Sequence, residues 1–265
     1  MSNHKPIRCF DGNAAPHEPF WRLRNASETG GEPEMELYGV ISEYSWSEDD
    51  ITPKLFKDDL YKLGNGGPIT VRIDSPGGDV IAASVMRSIM TDYPGPITTR
   101  IDGMAASAAV IIAMAGQTVK IMDTAYMMIH DPAVVVFFAM LDIDTLGRLH
   151  DQLKTIKTGI VDTYASKTGL SAERISRMMA DETWMSAREA VTYGFATEII
   201  EGGQKQKPAN VLTNVAYVNT LKTYVNVPQS LLPDNQAPAP DLLQESADKF
   251  EREAQSLRDE LEVYL

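Results

Sequence analysis

The feature that most limits the possible folds of this chain is a regular alternation of strand-like and helix-like segments between residues 36 and 200. Short apolar runs at 69–73, 97–101 and 118–122 have the length and composition of buried strands. Segments with helical periodicity lie between or after them, and in the longest, over 145–166, apolar side chains recur every three or four residues. This alternation predicts an α/β fold of repeated ββα or βαβ units.

The composition indicates a soluble globular protein and excludes several classes of function. Of the 265 residues, 43% are apolar, which is enough for a sizeable core. The net charge of −13 argues against a nucleic-acid partner, because phosphate contacts need clustered Lys and Arg. A single Cys excludes a disulfide framework and a Cys-rich metal site.

The longest run without charged or strongly polar residues, 103–116, is too short to span a membrane, and the first twenty residues lack a signal peptide. We therefore expect a cytoplasmic protein with no membrane partner.

The negative charge is concentrated in the last part of the chain. Residues 233–265 carry nine acidic and three basic side chains, so they hold −6 of the total charge. Apolar residues in this tail are spaced alternately by four and three: Leu243, Ala247, Phe250, Ala254, Leu257, Leu261 and Tyr264. That spacing is typical of a coiled-coil seam over about three heptads, and it fits equally a single amphipathic helix docked on the rest of the chain.

These patterns divide the chain into four regions. Residues 1–33 are polar and rich in Gly, Pro and Asn, and we expect a flexible N-terminal segment there. Residues 34–203 contain the strand and helix signals and form the predicted folded domain. Residues 204–240 are predicted to be an extension and a Pro-rich linker, and 241–265 the acidic heptad-patterned helix.

Two residues are candidates for nucleophilic catalysis. Ser107 follows a predicted strand and precedes a helix of small residues, where a hydroxyl is exposed and a helix N-terminus stabilises nearby negative charge. His130 ends a predicted buried strand, a position that suits an oriented general base. Each also has a structural interpretation: Ser among Gly and Ala marks tight helix packing, and a His beside a core strand often only packs.

A glycine turn and several acids complete the set of candidates. The turn Ser75-Pro-Gly-Gly78 offers unshielded backbone N–H groups, which suit an oxyanion, an anion cradle or simply a turn. It lacks the GxxxxGKS/T form of a nucleotide-binding P-loop. An acid that orients His130 is expected in 181–186. The other acidic candidates are Asp74, Asp79, Asp102, Asp123 and Asp131. The residues alone therefore predict a Ser, a His and an unassigned acid, as in serine hydrolases.

Four motifs occur in an order that identifies a family. They are Ile73-Asp-Ser-Pro-Gly-Gly-Asp79, Gly103-Met-Ala-Ala-Ser-Ala-Ala109, Met127-Met-Ile-His-Asp-Pro132 and Glu182-Thr-Trp-Met-Ser-Ala-Arg-Glu-Ala-Val-Thr-Tyr-Gly-Phe-Ala196. Together they resemble the Clp protease proteolytic-subunit family (ClpP, peptidase family S14), in particular its bacteriophage head-maturation, or prohead protease, branch. The resemblance covers about residues 35–200. It implies the ClpP/crotonase-like spiral of ββα units, here followed by the C-terminal amphipathic or coiled-coil helix.

The resemblance also assigns roles to residues. Ser107 resembles the family's nucleophile and His130 its general base, while Gly78 and the N–H group of Ala108 resemble its oxyanion hole. The family's Asp is replaced here by Glu182. Asp181 lies directly before it, so Glu182 is the expected acid and Asp181 the alternative. The family commonly has Gly-Gly shortly after the His, whereas residues 133–139 here are apolar.

The activity implied by the resemblance is that of a serine endopeptidase without metal or cofactor. Family members form heptameric rings, often paired through the helix that corresponds to residues 145–166. The implied partners are protein or peptide substrates, other copies of the chain, and either a separate ATPase unfoldase or capsid and scaffold proteins. This chain has no ATP-binding motif.

Three other functions compete with this one. A crotonase-like acyl-CoA enzyme has a related fold and does not need Ser107 and His130 together. A Ser–Lys protease is disfavoured because the expected base is a His. A catalytically inactive ring or assembly scaffold would use the heptad-patterned tail for binding.

Overall fold

A computed structural model describes residues 21–41, 53–134, 141–202 and 215–232 of the chain. The chain divides into two compact units, residues 1–229 and residues 230–265. Of the second unit, residues 230–232 alone are described.

The centre of the first unit is a sheet whose strands are mostly parallel. Its eight strands among the described residues are β1 (Trp21–Arg24), β2 (Glu34–Tyr38), β3 (Ile69–Ser75), β4 (Ile97–Ala106), β5 (Thr118–Met122), β6 (Tyr126–Ile129), β7 (Thr183–Ser186) and β8 (Glu198–Ile200). The spatial order is β1-β2-β3-β4-β5-β8, with β6 beside the end of β4 and β7 beside β6. The pairs β1–β2 and β6–β7 are antiparallel, and the other pairs are parallel. In the first part of the central strands β3 and β4, buried residues alternate with half-buried ones, so one face of the sheet packs on the core.

Helices connect the strands, as the sequence predicts for an α/β protein. They are α1 (Ala26–Thr29), α2 (Pro53–Gly64), α3 (Val80–Thr91), α4 (Ala108–Ala113), α5 (Ile143–Thr168), α6 (Ala172–Ala180), α7 (Ala187–Thr192) and α8 (Val215–Leu221), with a short 3-10 helix at Gln229–Leu231. Ser186 and Glu189 form the predicted capping box of α7, and Gly169 ends α5 in the left-handed conformation. The predicted fold class is confirmed. None of the described helices is long and apolar enough to cross a membrane.

The N-terminal boundary of the folded part differs from the prediction. The sequence predicts a flexible segment over 1–33, but β1 and α1 lie within residues 21–29. Trp21 is 2% exposed, packs edge-on against Phe56 with ring centroids 5.1 Å apart, and donates a hydrogen bond of 3.0 Å from Nε1 to Asp59. Burial of this aromatic side chain stabilises β1 on the sheet. A single Trp within a polar segment gives no periodic signal, which explains the difference.

A second difference lies in the predicted extension and linker, 204–240. Residues 215–228, here called the C-terminal arm, begin with α8 and pack on the domain. Tyr217 and Leu221 of α8 are 4% and 0% exposed. Two buried side chains four residues apart are too few to distinguish a docked helix from a linker in the sequence. The predicted helix at 241–265, residues 1–20 and most of the apolar segment 133–139 lie outside the described residues.

Candidate active site

Strand register brings Ser107 and His130 side by side. Ala106 at the end of β4 pairs with Met128 of the parallel strand β6, and the amide of Ser107 donates to the carbonyl of Met128 at 2.8 Å. His130 comes directly after Ile129, the last residue of β6. The distance from Oγ of Ser107 to Nε2 of His130 is 2.7 Å, that of a good hydrogen bond.

The backbone at Ser107 forms a sharp turn between β4 and α4. Ser107 has φ 54° and ψ −123°, a conformation that is strained for a residue with a side chain. The Ser-Pro-Gly-Gly turn packs directly against it. A Cβ atom at Gly77 would lie 2.8 Å from Cβ of Ser107 and 2.7 Å from the carbonyl oxygen of Ala106. The glycine thus allows the close approach that holds the serine in place, as in strand-to-helix nucleophile turns.

The two predicted oxyanion-hole amides flank this contact. The amide nitrogen of Ala108, the first residue of α4, would be 3.2 Å from a Cβ atom at Gly77. Gly78, with φ 140°, forms a parallel β-bridge with Ile41. In this bridge the amide of Ile41 donates to the carbonyl of Gly77, and the amide of Asp79 donates to the carbonyl of Ile41. Neither the Gly78 nor the Ala108 amide donates to another backbone group of the described chain. Both amides are therefore available to an oxyanion.

The environment of His130 favours the neutral imidazole. Burial lowers the pKa of His130 from its ordinary value of 6.5, and the negative charges of Glu182 and Asp131 act in the opposite direction. Asp131 forms an ion pair with Lys157 of α5, with Nζ 2.9 Å from Oδ2. A neutral ring accepts a proton at Nε2, so the pair Ser107 and His130 is able to generate a nucleophilic oxygen.

Register also places Glu182 near His130. Strand β7 runs antiparallel to β6 with Thr183 opposite Ile129, so the residue before Thr183 lies opposite the residue after Ile129. The charge of Glu182 influences the pKa of His130. Asp181, in contrast, is the exposed C-cap residue of α6 and has no such influence. Of the two candidate acids, Glu182 is the one whose charge raises the pKa of His130.

The carboxylate of Glu182 is nevertheless bound by the C-terminal arm. Oε1 accepts the backbone amides of Val225 and Asn226 at 2.7 Å each, and Oε2 accepts that of Val225 at 2.9 Å. Nε1 of Trp184 donates to Oε1 at 3.2 Å. Within the described part of the chain, Glu182 makes no hydrogen bond to His130. Ser107 and His130 are thus in contact, while the acid is engaged elsewhere.

Tyr224 of the C-terminal arm contacts His130, and no sequence pattern predicts this contact. Its hydroxyl donates to the carbonyl of Pro76 at 2.7 Å, and its ring packs edge-on against His130 with centroids 5.2 Å apart. Burial raises the pKa of Tyr224 to about 12, against a hydrogen bond with the Ser107 side chain that lowers it. The tripeptide Tyr-Val-Asn occurs twice in the arm, at 217–219 and 224–226, but this repeat does not predict a contact with the candidate site.

The remaining acidic candidates are engaged in other interactions or exposed. Asp74 accepts a hydrogen bond from Tyr217, Asp79 caps α3, Asp102 is ion-paired with Arg72 and Arg100, Asp131 is paired with Lys157, and Asp123 is exposed after β5. His150 is exposed beside Asp151 on α5. Among the described residues, no group of three His, Cys, Asp or Glu side chains is arranged to hold a metal ion.

Known proteins with a similar sequence and fold exist. The family model described as Clp protease matches residues 46–203. Proteolytic subunit 1 of the ATP-dependent Clp protease of Chlamydia muridarum is 33% identical over 139 residues, 51% of this chain and 71% of that protein. The subunit of Chlamydia abortus is 31% identical over 186 residues, 64% of this chain and 95% of that protein. The solved structure of ClpP1 from Listeria monocytogenes is 25% identical, with a TM-score of 0.52 over 64% of this chain and 91% of that one. The predicted fold is thereby confirmed.

Proposed function

Because this chain belongs to the Clp protease family and is a serine-type peptidase, we propose that it hydrolyses peptide bonds in protein substrates by a Ser-His-acid mechanism. Ser107 is the nucleophile, His130 the general base and Glu182 the acid. The observation that carries the proposal is the 2.7 Å contact between Oγ of Ser107 and Nε2 of His130 at a strained strand-to-helix turn. A hydroxyl in contact with a neutral imidazole is what acyl transfer requires.

The reaction proceeds in two halves through an ester on Ser107. Oγ attacks the carbonyl carbon of the peptide while Nε2 of His130 takes its proton, and the amides of Gly78 and Ala108 bind the resulting oxyanion. His130 gives the proton to the leaving nitrogen, the C–N bond breaks, and the acyl-enzyme remains. Water then attacks the ester as His130 accepts its proton, and the carboxylate product leaves as Ser107 recovers a proton.

Hydrolysis of an unfolded protein, such as reduced and alkylated casein, tests this assignment. The parent is expected to cleave it, and Ser107→Ala and His130→Ala are each expected to lower the rate by at least about 10³-fold, as triad removal does in serine proteases. Thermal unfolding midpoints serve as the control for folding. Cleavage that survives Ser107→Ala contradicts the assignment. A folded parent that is inactive, and that stays inactive when Tyr224 is replaced by Ala, favours the assembly-scaffold alternative.

We further propose that the chain forms a homo-oligomeric ring, heptameric and single or stacked in a pair, as its resemblance to the family implies. The support is the first turn of α5, where Ile143 is 87% and Leu146 is 52% exposed. Large apolar side chains on the surface of a helix are typical of subunit interfaces. Sedimentation of the parent should show an assembly, and replacing both residues with Asp should dissociate or halve it. A parent that sediments as a monomer contradicts the ring.

The proposed substrates are capsid or scaffold proteins, cut during head assembly in the cytoplasm of a host cell. The support is the resemblance of the four motifs to the head-maturation branch. The purified chain should then cleave such proteins without an added ATPase. If cleavage requires a separate ATP-driven unfoldase, the assignment to the head-maturation branch is wrong, although the assignment as a peptidase still holds.

A further inference from the structure

The C-terminal arm is fixed to the domain at one end and to the active site at the other. At α8, the side chains of Tyr217 and Leu221 are buried, and the hydroxyl of Tyr217 donates to Asp74. After α8, Tyr224 reaches the carbonyl of Pro76, and the next two backbone amides bind Glu182. The two tyrosines are seven positions apart in the chain, so the arm extends from its anchor to the catalytic residues over a short span.

The position of Tyr224 is incompatible with a bound peptide. Its ring packs edge-on against His130, which contacts Ser107, and its hydroxyl donates to the carbonyl of Pro76, directly before Gly77 and Gly78. A scissile carbonyl has to enter the same space, between Oγ of Ser107 and the oxyanion-hole amides. A peptide substrate therefore has to displace Tyr224.

The backbone after Tyr224 also removes the acid from its proposed role. Each oxygen of the Glu182 carboxylate accepts an amide of the arm, and Oε1 accepts two. A triad acid has to accept the Nδ1–H of the histidine to hold its tautomer and orientation. The amides of Val225 and Asn226 compete with His130 for the same carboxylate.

We infer that the C-terminal arm is an intramolecular inhibitor of the active site. Tyr224 blocks the substrate site, and the amides of Val225 and Asn226 hold the carboxylate of Glu182. The inference rests on the proposed peptidase function and adds its regulation. Substrate binding and orientation of His130 by Glu182 both require the arm to open after α8.

The contacts of the arm are distributed in a way that permits this opening. The anchor at α8 is apolar and buried, whereas Val225 is 84% exposed and Asn226 is also exposed. Segments with few buried apolar contacts open locally at a small fraction of the free energy of global unfolding. The arm is therefore expected to open between Leu221 and Tyr224 while α8 stays docked.

The rate at which a fluorophosphonate probe labels Ser107 measures how often the site is open. Val225→Pro removes one donor to Glu182, and Val225→Ala keeps that donor while changing the same exposed side chain. Loss of a hydrogen bond to a charged group should raise the labelling rate by about tenfold in Val225→Pro. Val225→Ala should be labelled at the parent rate.

Tyr224→Ala should also be labelled faster than the parent. Tyr224→Phe keeps the ring and loses the hydroxyl, so its labelling rate should lie between those of Tyr224→Ala and the parent.

The outcomes distinguish a failure of the proposed inhibition by the arm from a failure of the proposed peptidase function. Ser107→Ala is the blank, and unfolding midpoints verify that each variant is folded. If the parent is labelled at Ser107 and neither Val225→Pro nor Tyr224→Ala is labelled faster, the C-terminal arm does not inhibit the site. The proposed peptidase function is unaffected by this result. Slower labelling in these variants also overturns the inhibitor, because the arm then supports the site. If no folded form is labelled, even with Tyr224 removed, the proposed function itself is wrong.

Discussion

The hydroxyl of Tyr217 donates a hydrogen bond of 3.1 Å to the buried carboxylate of Asp74, although the two residues lie 143 positions apart in the chain. Asp74 directly precedes the Ser-Pro-Gly-Gly turn, so this contact anchors the C-terminal arm next to the candidate oxyanion hole. Burial raises the pKa of Asp74 to about 6, while the hydrogen bond from Tyr217 lowers it. A carboxylate in this position makes the stability of the fold depend on pH.

The stability of Asp74→Asn relative to the parent should increase as the pH rises from 4 to 7. Because the folded-state pKa of about 6 exceeds the ordinary 3.8, the protonated acid favours folding below about pH 4, and this contribution is lost as pH rises through 6. The free energy of unfolding of the variant minus that of the parent should increase by about 2 kcal/mol between pH 4 and pH 7. Urea unfolding at several pH values measures this difference. A difference that does not vary with pH contradicts the raised pKa.

The activity of the parent should persist below pH 6.5. Burial lowers the pKa of His130, and the neutral ring is the active form, so the acid limb of kcat/KM should lie below the ordinary value. Removing the charge of Asp131 with Asp131→Asn should move this limb to still lower pH, because that charge raises the pKa. The pH profile of peptide hydrolysis tests both statements, and a parent limb above pH 6.5 contradicts them.

Glu182→Gln should lower kcat by roughly 10²–10⁴-fold, because the amide no longer stabilises the imidazolium form of His130. The matched controls are Asp181→Asn, which changes the neighbouring acid, and Asp131→Asn, which removes the other charge that raises the pKa of His130. Both should keep kcat within a few-fold of the parent. A larger loss in Asp181→Asn than in Glu182→Gln transfers the role of triad acid to Asp181.

Gly77→Ala should abolish labelling of Ser107, whereas Gly66→Ala should leave it unchanged. Both glycines have positive φ, 98° and 75°, so alanine strains the backbone by about 1–2 kcal/mol at either position. At Gly77 the new Cβ lies 2.7 Å from the carbonyl oxygen of Ala106, but at Gly66 the nearest atom, Cγ of Pro94, is 3.9 Å away. Labelling rates and unfolding midpoints are to be measured together. Equal labelling of the two variants contradicts the packing of the turn against Ser107.

Trp21→Ala should lower the free energy of unfolding by about 3–5 kcal/mol, as expected for loss of a buried aromatic side chain. The control is Leu23→Ala in the same strand, whose side chain is 40% exposed and should cost much less. Guanidinium unfolding compares the two. A loss below about 1 kcal/mol for Trp21→Ala would show that β1 is not part of the folded domain.

The parts of this fold that the sequence predicts are those encoded by local patterns. The strand at 69–73, the helix stop at Gly169 and the capping box at Ser186 each depend on neighbouring residues. The positions of Ser107 and His130 at strand ends follow from the same patterns. The contact between these two side chains depends on the pairing of β4 with β6, which no local pattern determines.

The parts that the sequence does not predict depend on single long-range contacts. Trp21 joins β1 to the domain through Phe56 and Asp59, which lie 35 or more positions away. The arm is held by Tyr217 and Tyr224, whose partners are more than 140 residues earlier in the chain. Residues 1–33 are polar around Trp21, and the arm leads into a Pro-rich stretch, so local patterns assign both segments to flexible regions.

The most direct test of the central claim is to locate the fluorophosphonate adduct by peptide mass spectrometry. The parent is expected to carry the adduct on Ser107, Ser107→Ala is expected to carry none, and His130→Ala is expected to react far more slowly. An adduct on another residue, or labelling that survives in Ser107→Ala, contradicts the assignment of Ser107 as the nucleophile.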